Sequence, residues 1–229
     1  MAKCNHPRCK NHDICGKISG DRKNPGGNIF TPGQKNNHKG HVVEGWHTAV
    51  QSAYYNELVS SISNGIVVEI GVFGGASLLG MVDSCVKTKS HIYGIDPWEK
   101  VENANGAKMT PDKKKIYRER IKNIRLNLER VINEEGYDNI TLIHDFSVNA
   151  VDRFENESID IIFIDGDHSY DSVLQDISVW LPKVKRGGIM WGDDYGGWES
   201  VRMAVDDFCK ANNLTYKVVC GKRSWQINK

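Results

Sequence analysis

A short apolar run, Ile66-Val67-Val68-Glu69-Ile70, passes without a spacer into Gly71-Val72-Phe73-Gly74-Gly75. Leu78, Leu79, Val82, Cys85 and Val86 then recur at helical spacing. Strand, glycine turn and helix in that order present bare backbone N–H groups and a helix N-terminus to a ligand. Glycine serves where the backbone must approach that ligand closely or take positive φ. The spacing is Glu-x-Gly-x-x-x-Gly, without the full Gly-x-Gly-x-x-Gly. That argues against a dinucleotide and for another nucleotide-like cofactor. A plain strand–helix connection is the alternative.

The rest of the chain repeats the alternation. Apolar runs at 90–96, 139–144, 159–164 and 189–191 read as strands, and amphipathic patterns separate them. The segment 41–63, with Trp46, Val50, Tyr54, Leu58 and Ile62, suits a helix ended by Asn64-Gly65, and Tyr117, Ile121, Ile124, Leu128 and Val131 stripe a long basic one. Residues 216–219 and 224–227 flank a turn at Gly221 and read as a hairpin. The expected fold is α/β: Rossmann-like and doubly wound, with a mostly parallel seven-stranded sheet and a C-terminal antiparallel hairpin.

Residues 1–40 differ. They hold eight Lys/Arg against two Asp/Glu and show no apolar periodicity, so the domain is expected over 41–229 with a basic segment before it. Cys4, Cys9 and Cys15, with His12 or His6 as fourth ligand, could hold a structural Zn²⁺; a basic tail is the competing reading. Net charge is only +1, which gives no argument for nucleic acid. No run is long enough to span a bilayer, and no secretory leader is visible. Cys85, Cys209 and Cys220 read as small buried residues, so a cytoplasmic, reduced setting is expected. Self-association is left open.

Acids collect at the expected carboxyl ends of the strands, where open α/β sheets bind ligands. Asp96 ends the second strand and can accept hydrogen bonds from a ribose, or serve as a turn residue before Pro97. Asp165 ends the fourth strand and Asp193-Asp194 the fifth. Neighbouring strands would bring these three together, where unpaired carboxylates repel. Mg²⁺ would relieve that repulsion, and helix capping is the alternative. Asp167 and His168 follow closely and are candidate proton acceptors; the histidine could equally orient a substrate or pack.

In these motifs the chain resembles the class I S-adenosylmethionine-dependent methyltransferases. They are Val-Val-Glu69-Ile-Gly71-Val-Phe-Gly74-Gly75, Gly-Ile-Asp96-Pro-Trp98, Ile-Asp165-Gly-Asp167-His168-Ser-Tyr170, Leu-Pro182-Lys-Val-Lys-Arg-Gly187-Gly188 and Asp193-Asp194-Tyr195. The likeness is greatest to macrocin-type sugar O-methyltransferases and covers roughly residues 41–227. It implies a donor pocket of Glu69, Gly71, Phe73, Gly75, Ser77, Asp96, Trp98, Ser147 and Asp165, with Asp96 on the ribose and Ser147 beside the adenine. It also implies Mg²⁺ on Asp165, Asp193 and Asp194, Asp167 as base, and a small-molecule or glycan hydroxyl as acceptor. Two positions depart from the pattern: Phe146 replaces a frequent acid, and Trp191-Gly192 replaces an aliphatic run. A metal-independent methyltransferase and an inactive methyltransferase-like binding protein are the alternative functions.

Overall fold

The computed structural model describes residues 34–98 and 110–229, with the backbone of 103–104 and 107–108. The cysteines and histidines at positions 4, 6, 9, 12 and 15 lie outside the described residues. The described chain opens with an antiparallel hairpin, β1 (Lys35–His38) and β2 (His41–Glu44), turned by Lys39 and Gly40, both at positive φ. This hairpin straddles position 40. Its polar strands carry no apolar alternation, so periodicity could not report it. Helix α1 (Ala49–Ser60) follows, started by a reciprocal capping box between Thr48 and Gln51.

The central alternation then runs β3 (Ile66–Ile70), α2 (Ala76–Thr88), β4 (His91–Asp96), and the short pair β5 (Asn103–Ala104) and β6 (Ala107–Lys108). It continues with α3 (Pro111–Glu135), β7 (Ile140–His144), α4 (Ser147–Ala150), β8 (Ile159–Ile164) and α5 (Tyr170–Trp180). Last come β9 (Val184–Gly192), α6 (Glu199–Ala211), β10 (Tyr216–Val219) and β11 (Ser224–Asn228). The main sheet has the order β10-β11-β9-β8-β3-β4-β7. The five strands from β9 to β7 are parallel, and β11 pairs antiparallel with both β9 and β10. This is the expected doubly wound seven-stranded sheet with a C-terminal hairpin.

The sheet is covered on both faces, which is why its strands read as unbroken apolar runs. Val67, Phe163 and Trp191 pack with Tyr55, Leu78, Met81 and Leu128 of α1 to α3. Val68, Ile162 and Met190 pack with Ile177, Trp180 and Val205 of α5 and α6. Strand β9 begins five residues earlier than its apolar run, at Val184. Gly187-Gly188 is therefore inside it and exchanges backbone hydrogen bonds with Lys229. The Trp191-Gly192 departure has a packing cause. Trp191 stacks on Phe163 at 4.1 Å between centroids, and a Cβ on Gly192 would lie 2.5 Å from the Trp225 ring.

Chain direction decides where a ligand can sit. From β3 the chain winds outward through β4 to β7, then returns to the other side of β3 for β8 and β9. The reversal opens a crevice at the carboxyl ends of β3 and β8.

Candidate functional site

Backbone hydrogen bonds lace the strand ends into one rim. The N–H of Gly71 donates to the Ile95 carbonyl, that of Asp165 to Ile70, and that of Asp193 to Ile164, at 2.8–3.1 Å. Asp96, Gly71, Asp165 and Asp193 therefore follow one another along the edge. Gly71 is held so near β8 that a Cβ on it would lie 2.0 Å from the Asp165 carbonyl oxygen, and its φ is +86°. No L side chain fits there.

The glycine turn is braced from three sides. Phe73 sits at φ +50°, and Asp96 fixes it there by accepting its N–H at 2.9 Å. The other Asp96 oxygen accepts the Trp98 N–H at 2.7 Å, and the Trp98 indole N–H donates to the Phe73 carbonyl. Burial raises the pKa of Asp96, and the backbone donors at Phe73 and Trp98 work against that. Gly75, at φ +81°, starts α2 without a side-chain cap. The first-turn N–H groups of α2 are thus unclaimed by a capping side chain, as a ligand carboxylate requires. Glu69 is fully buried below the turn. Ser77 donates to its Oε1 at 2.5 Å, and its Oε2 has no partner among the described residues. Burial pushes its pKa up to about 8, with smaller contributions from Asp165 and Asp96. An orphaned buried acceptor beside an open helix start suits a zwitterionic amino-acid group, one end for each. Asp96 keeps lone pairs for hydroxyls. These residues fit the methionine and ribose portions of S-adenosylmethionine.

Ser147 has a different engagement: its hydroxyl donates to buried Asp176 in the middle of α5. Burial raises Asp176 to about 6. Phe146, next to it, is half exposed.

On the other side of Asp165 the acids sort into two groups. Asp165, His168 and Asp194 gather, with one ligand atom from each lying within 4.8 Å of the others. His168 Nε2 donates to Asp194 Oδ2 at 2.9 Å, lies 3.9 Å from Asp165 Oδ1, and its ring stacks on Trp198. Burial disfavours the imidazolium, but the two carboxylates outweigh it and raise the pKa to about 10. Desolvation, aided by Asp193 and Asp194, lifts Asp165 to about 6 even against His168. Asp194 takes φ +62°, which aims it at the cluster.

Asp193 stands apart from this group. It is 4 % exposed, and Arg223 donates to both its oxygens through Nε and again through Nη2, all at 3.1 Å; Ser224 adds a donor at 3.2 Å. Asp167 is also turned elsewhere. Its carboxylate accepts the Ser169 N–H at 2.8 Å at the start of α5. Its pKa lies below the ordinary value: burial raises it, but the Ser169 donors and His168 lower it further. Residue spacing gave no sign of Arg223, which comes from the last hairpin. His47 lies in the segment 41–63, whose apolar stripe carries no sign of it.

Residues 68–195 match the family model described as a methyltransferase domain, more than half of the chain. The chain belongs to that family, and its fold is that of the class I S-adenosylmethionine-dependent methyltransferases. Among solved structures it is similar to the O-methyltransferase NovP, at 17 % identity over 85 % of this chain and 83 % of that one, with a TM-score of 0.61. It is also similar to the S-adenosylhomocysteine-bound methyltransferase PaMTH1 of Podospora anserina, at 16 % identity over 80 % and 79 %, with a TM-score of 0.58. The O-methyltransferase TomG of Streptomyces achromogenes matches at 13 % over 80 % and 82 %, with a TM-score of 0.57. At such identities the likeness is one of fold. Uncharacterized protein R132 of Acanthamoeba polyphaga mimivirus is 29 % identical over 157 residues, 69 % of this chain. The chain spans 62 % of that relative's length. Among the described residues, no helix is long and apolar enough to cross a membrane.

Proposed function

We propose that the protein transfers a methyl group from S-adenosylmethionine to a hydroxyl of a sugar or other small molecule. The observation that carries this is the back-to-back placement of Gly71 and Asp165. It makes the donor turn and the acid cluster the two walls of one crevice. The O-methyltransferases NovP and TomG, similar in fold, support an oxygen acceptor.

The donor supplies an electrophilic sulfonium methyl. The chain's own residues then have three tasks. Glu69, the bare start of α2 and Asp96 bind the donor and fix its orientation. The turn braced by Phe73 and Trp98 keeps that geometry rigid, which is where positioning contributes to rate. The cluster beside Asp165 holds the acceptor. Asp165 and Asp194, with His168, would also hold a divalent cation, whose chemistry there is to lower the pKa of a bound hydroxyl. His168 must give up its proton to join such a site.

A second reading is favoured by the pairing of Arg223 with Asp193 and of His168 with Asp194. The acids are already countered by two side-chain cations, so the same methyl transfer would proceed without metal. Calorimetric titration with S-adenosylmethionine tests the donor assignment: no heat of binding sinks both readings. Turnover unaffected by EDTA removes the metal alone.

A further inference from the structure

The segment from Glu44 to Thr48, between β2 and α1, lies across the donor turn. A Cβ on Gly74 would meet the Glu44 carbonyl oxygen at 2.3 Å, and one on Gly45 would meet the Ala76 Cβ at 2.5 Å. The half-exposed Trp46 indole stacks on Phe73 at 5.2 Å. The His47 ring meets Phe163, two residues before Asp165, edge-on at 6.4 Å, and its charged neighbours are Asp193 and Arg223. His47 is 9 % exposed, and its Nε2 is buried without a partner among the described residues. A buried polar nitrogen left unpaired is costly, and such atoms in native structures call for an explanation. Burial keeps this imidazole neutral, with a pKa near 4; Asp193 raises it and Arg223 lowers it.

The other candidates for proton transfer are engaged at the rim: His168 carries its proton toward Asp194, and one oxygen of Asp167 accepts the Ser169 N–H. We propose that His47 receives the acceptor hydroxyl, its Nε2 accepting the O–H hydrogen bond and then the proton. This rests on the methyl-transfer reading above. In the step, the acceptor oxygen forms a bond to the methyl carbon as the carbon–sulfur bond breaks. Sulfur keeps that electron pair and becomes a neutral thioether. The hydroxyl proton passes to Nε2, and the imidazolium, beside Asp193, returns it to solvent. A weakly basic imidazole suffices because the hydroxyl becomes strongly acidic as its oxygen takes on the methyl group.

The test uses the full chain, donor with a labelled methyl group, and two hydroxyl probes, catechol and methyl glucoside. His47→Gln should bind S-adenosylhomocysteine with unchanged Kd yet transfer methyl about 10²-fold more slowly or worse. His47→Ala should regain activity with added imidazole, which a merely structural histidine would not permit. Transfer by His47→Gln within about threefold of the unsubstituted chain overturns the proposal, because a positioned base contributes far more than that. Failure of the unsubstituted chain to bind S-adenosylhomocysteine takes down the methyl-transfer reading and this proposal with it. If the chain binds it and methylates neither probe, the nitrogen NMR resonance of His47 Nε2 in that complex decides. Movement on adding catechol supports the proposal, and an unmoved resonance overturns it.

Discussion

Arg223 grips Asp193 across the last turn of the sheet, three donor–acceptor contacts at 3.1 Å onto a carboxylate that is 4 % exposed. Removing the guanidinium would leave a charge stranded in a dry place. Arg223→Met is expected to cost on the order of 2–3 kcal/mol, less than a fully buried pair because the arginine is 40 % exposed. Urea denaturation measures it. Adding Asp193→Asn should restore most of the loss; if it restores none, the pair is not the cause.

Gly71 and Gly136 both adopt positive φ, yet their substitutions should differ sharply. At Gly71 a methyl group meets the Asp165 backbone at 2.0 Å, while at Gly136, the C-cap of α3, nothing lies within 4 Å. Gly136→Ala should cost about 1 kcal/mol from conformation alone. Gly71→Ala must push β3 and β8 apart at the crevice, and should abolish S-adenosylmethionine binding in calorimetry. Intact binding would show that the turn does not touch the donor.

Glu69 predicts a pH dependence of stability. Its folded pKa, about 8, lies above its unfolded value near 4.5, so the folded state holds the proton more tightly. Its stabilising effect is complete below about pH 4.5 and is lost as pH rises through 8. In urea midpoints measured from pH 5 to 9, the unsubstituted chain should weaken with rising pH by more than Glu69→Gln does. Parallel curves would mean the carboxyl titrates normally.

If Asp165, His168 and Asp194 take a divalent cation, Mn²⁺ should raise Tm, since a ligand that binds only the folded state stabilises it. The rise should shrink as pH falls, because His168 competes with a proton held up to about pH 10. Asp194→Asn should remove the shift. A Tm indifferent to Mn²⁺ and Mg²⁺ at every pH favours the metal-free reading.

Local sequence carried a good deal of this protein. Ile159–Ile164 reads as a doubly covered strand because both its faces are apolar, and it is one. Gly71 and Gly75 read as turn residues because their backbone conformation belongs to glycine, and both take positive φ. The apolar run of the fifth strand reads from 189 to 191, yet β9 starts at Val184; Lys229, far along the chain, exchanges backbone hydrogen bonds with Gly187 and Gly188. The hairpin of β1 and β2 was invisible for a similar reason. Its polar strands are placed by contacts such as Arg120 to Glu44 and His41 to Glu135, from a helix some 80 residues away.

The alternation of strands and helices from Ile66 onward, the glycine turn and the acids at strand ends were thus legible in sequence, since each depends on periodicity or on the conformational needs of a few adjacent residues. Which acids act together was decided only by tertiary structure. Asp193 and Asp194 are adjacent and chemically identical, but the nearest cation is Arg223 for the first and His168 for the second, with Arg223 standing farther from Asp194, at 3.9 Å. Long-range partners, not residue type, set the charge and freedom of each. His47 owes its place between the donor turn and Asp193 to that same packing.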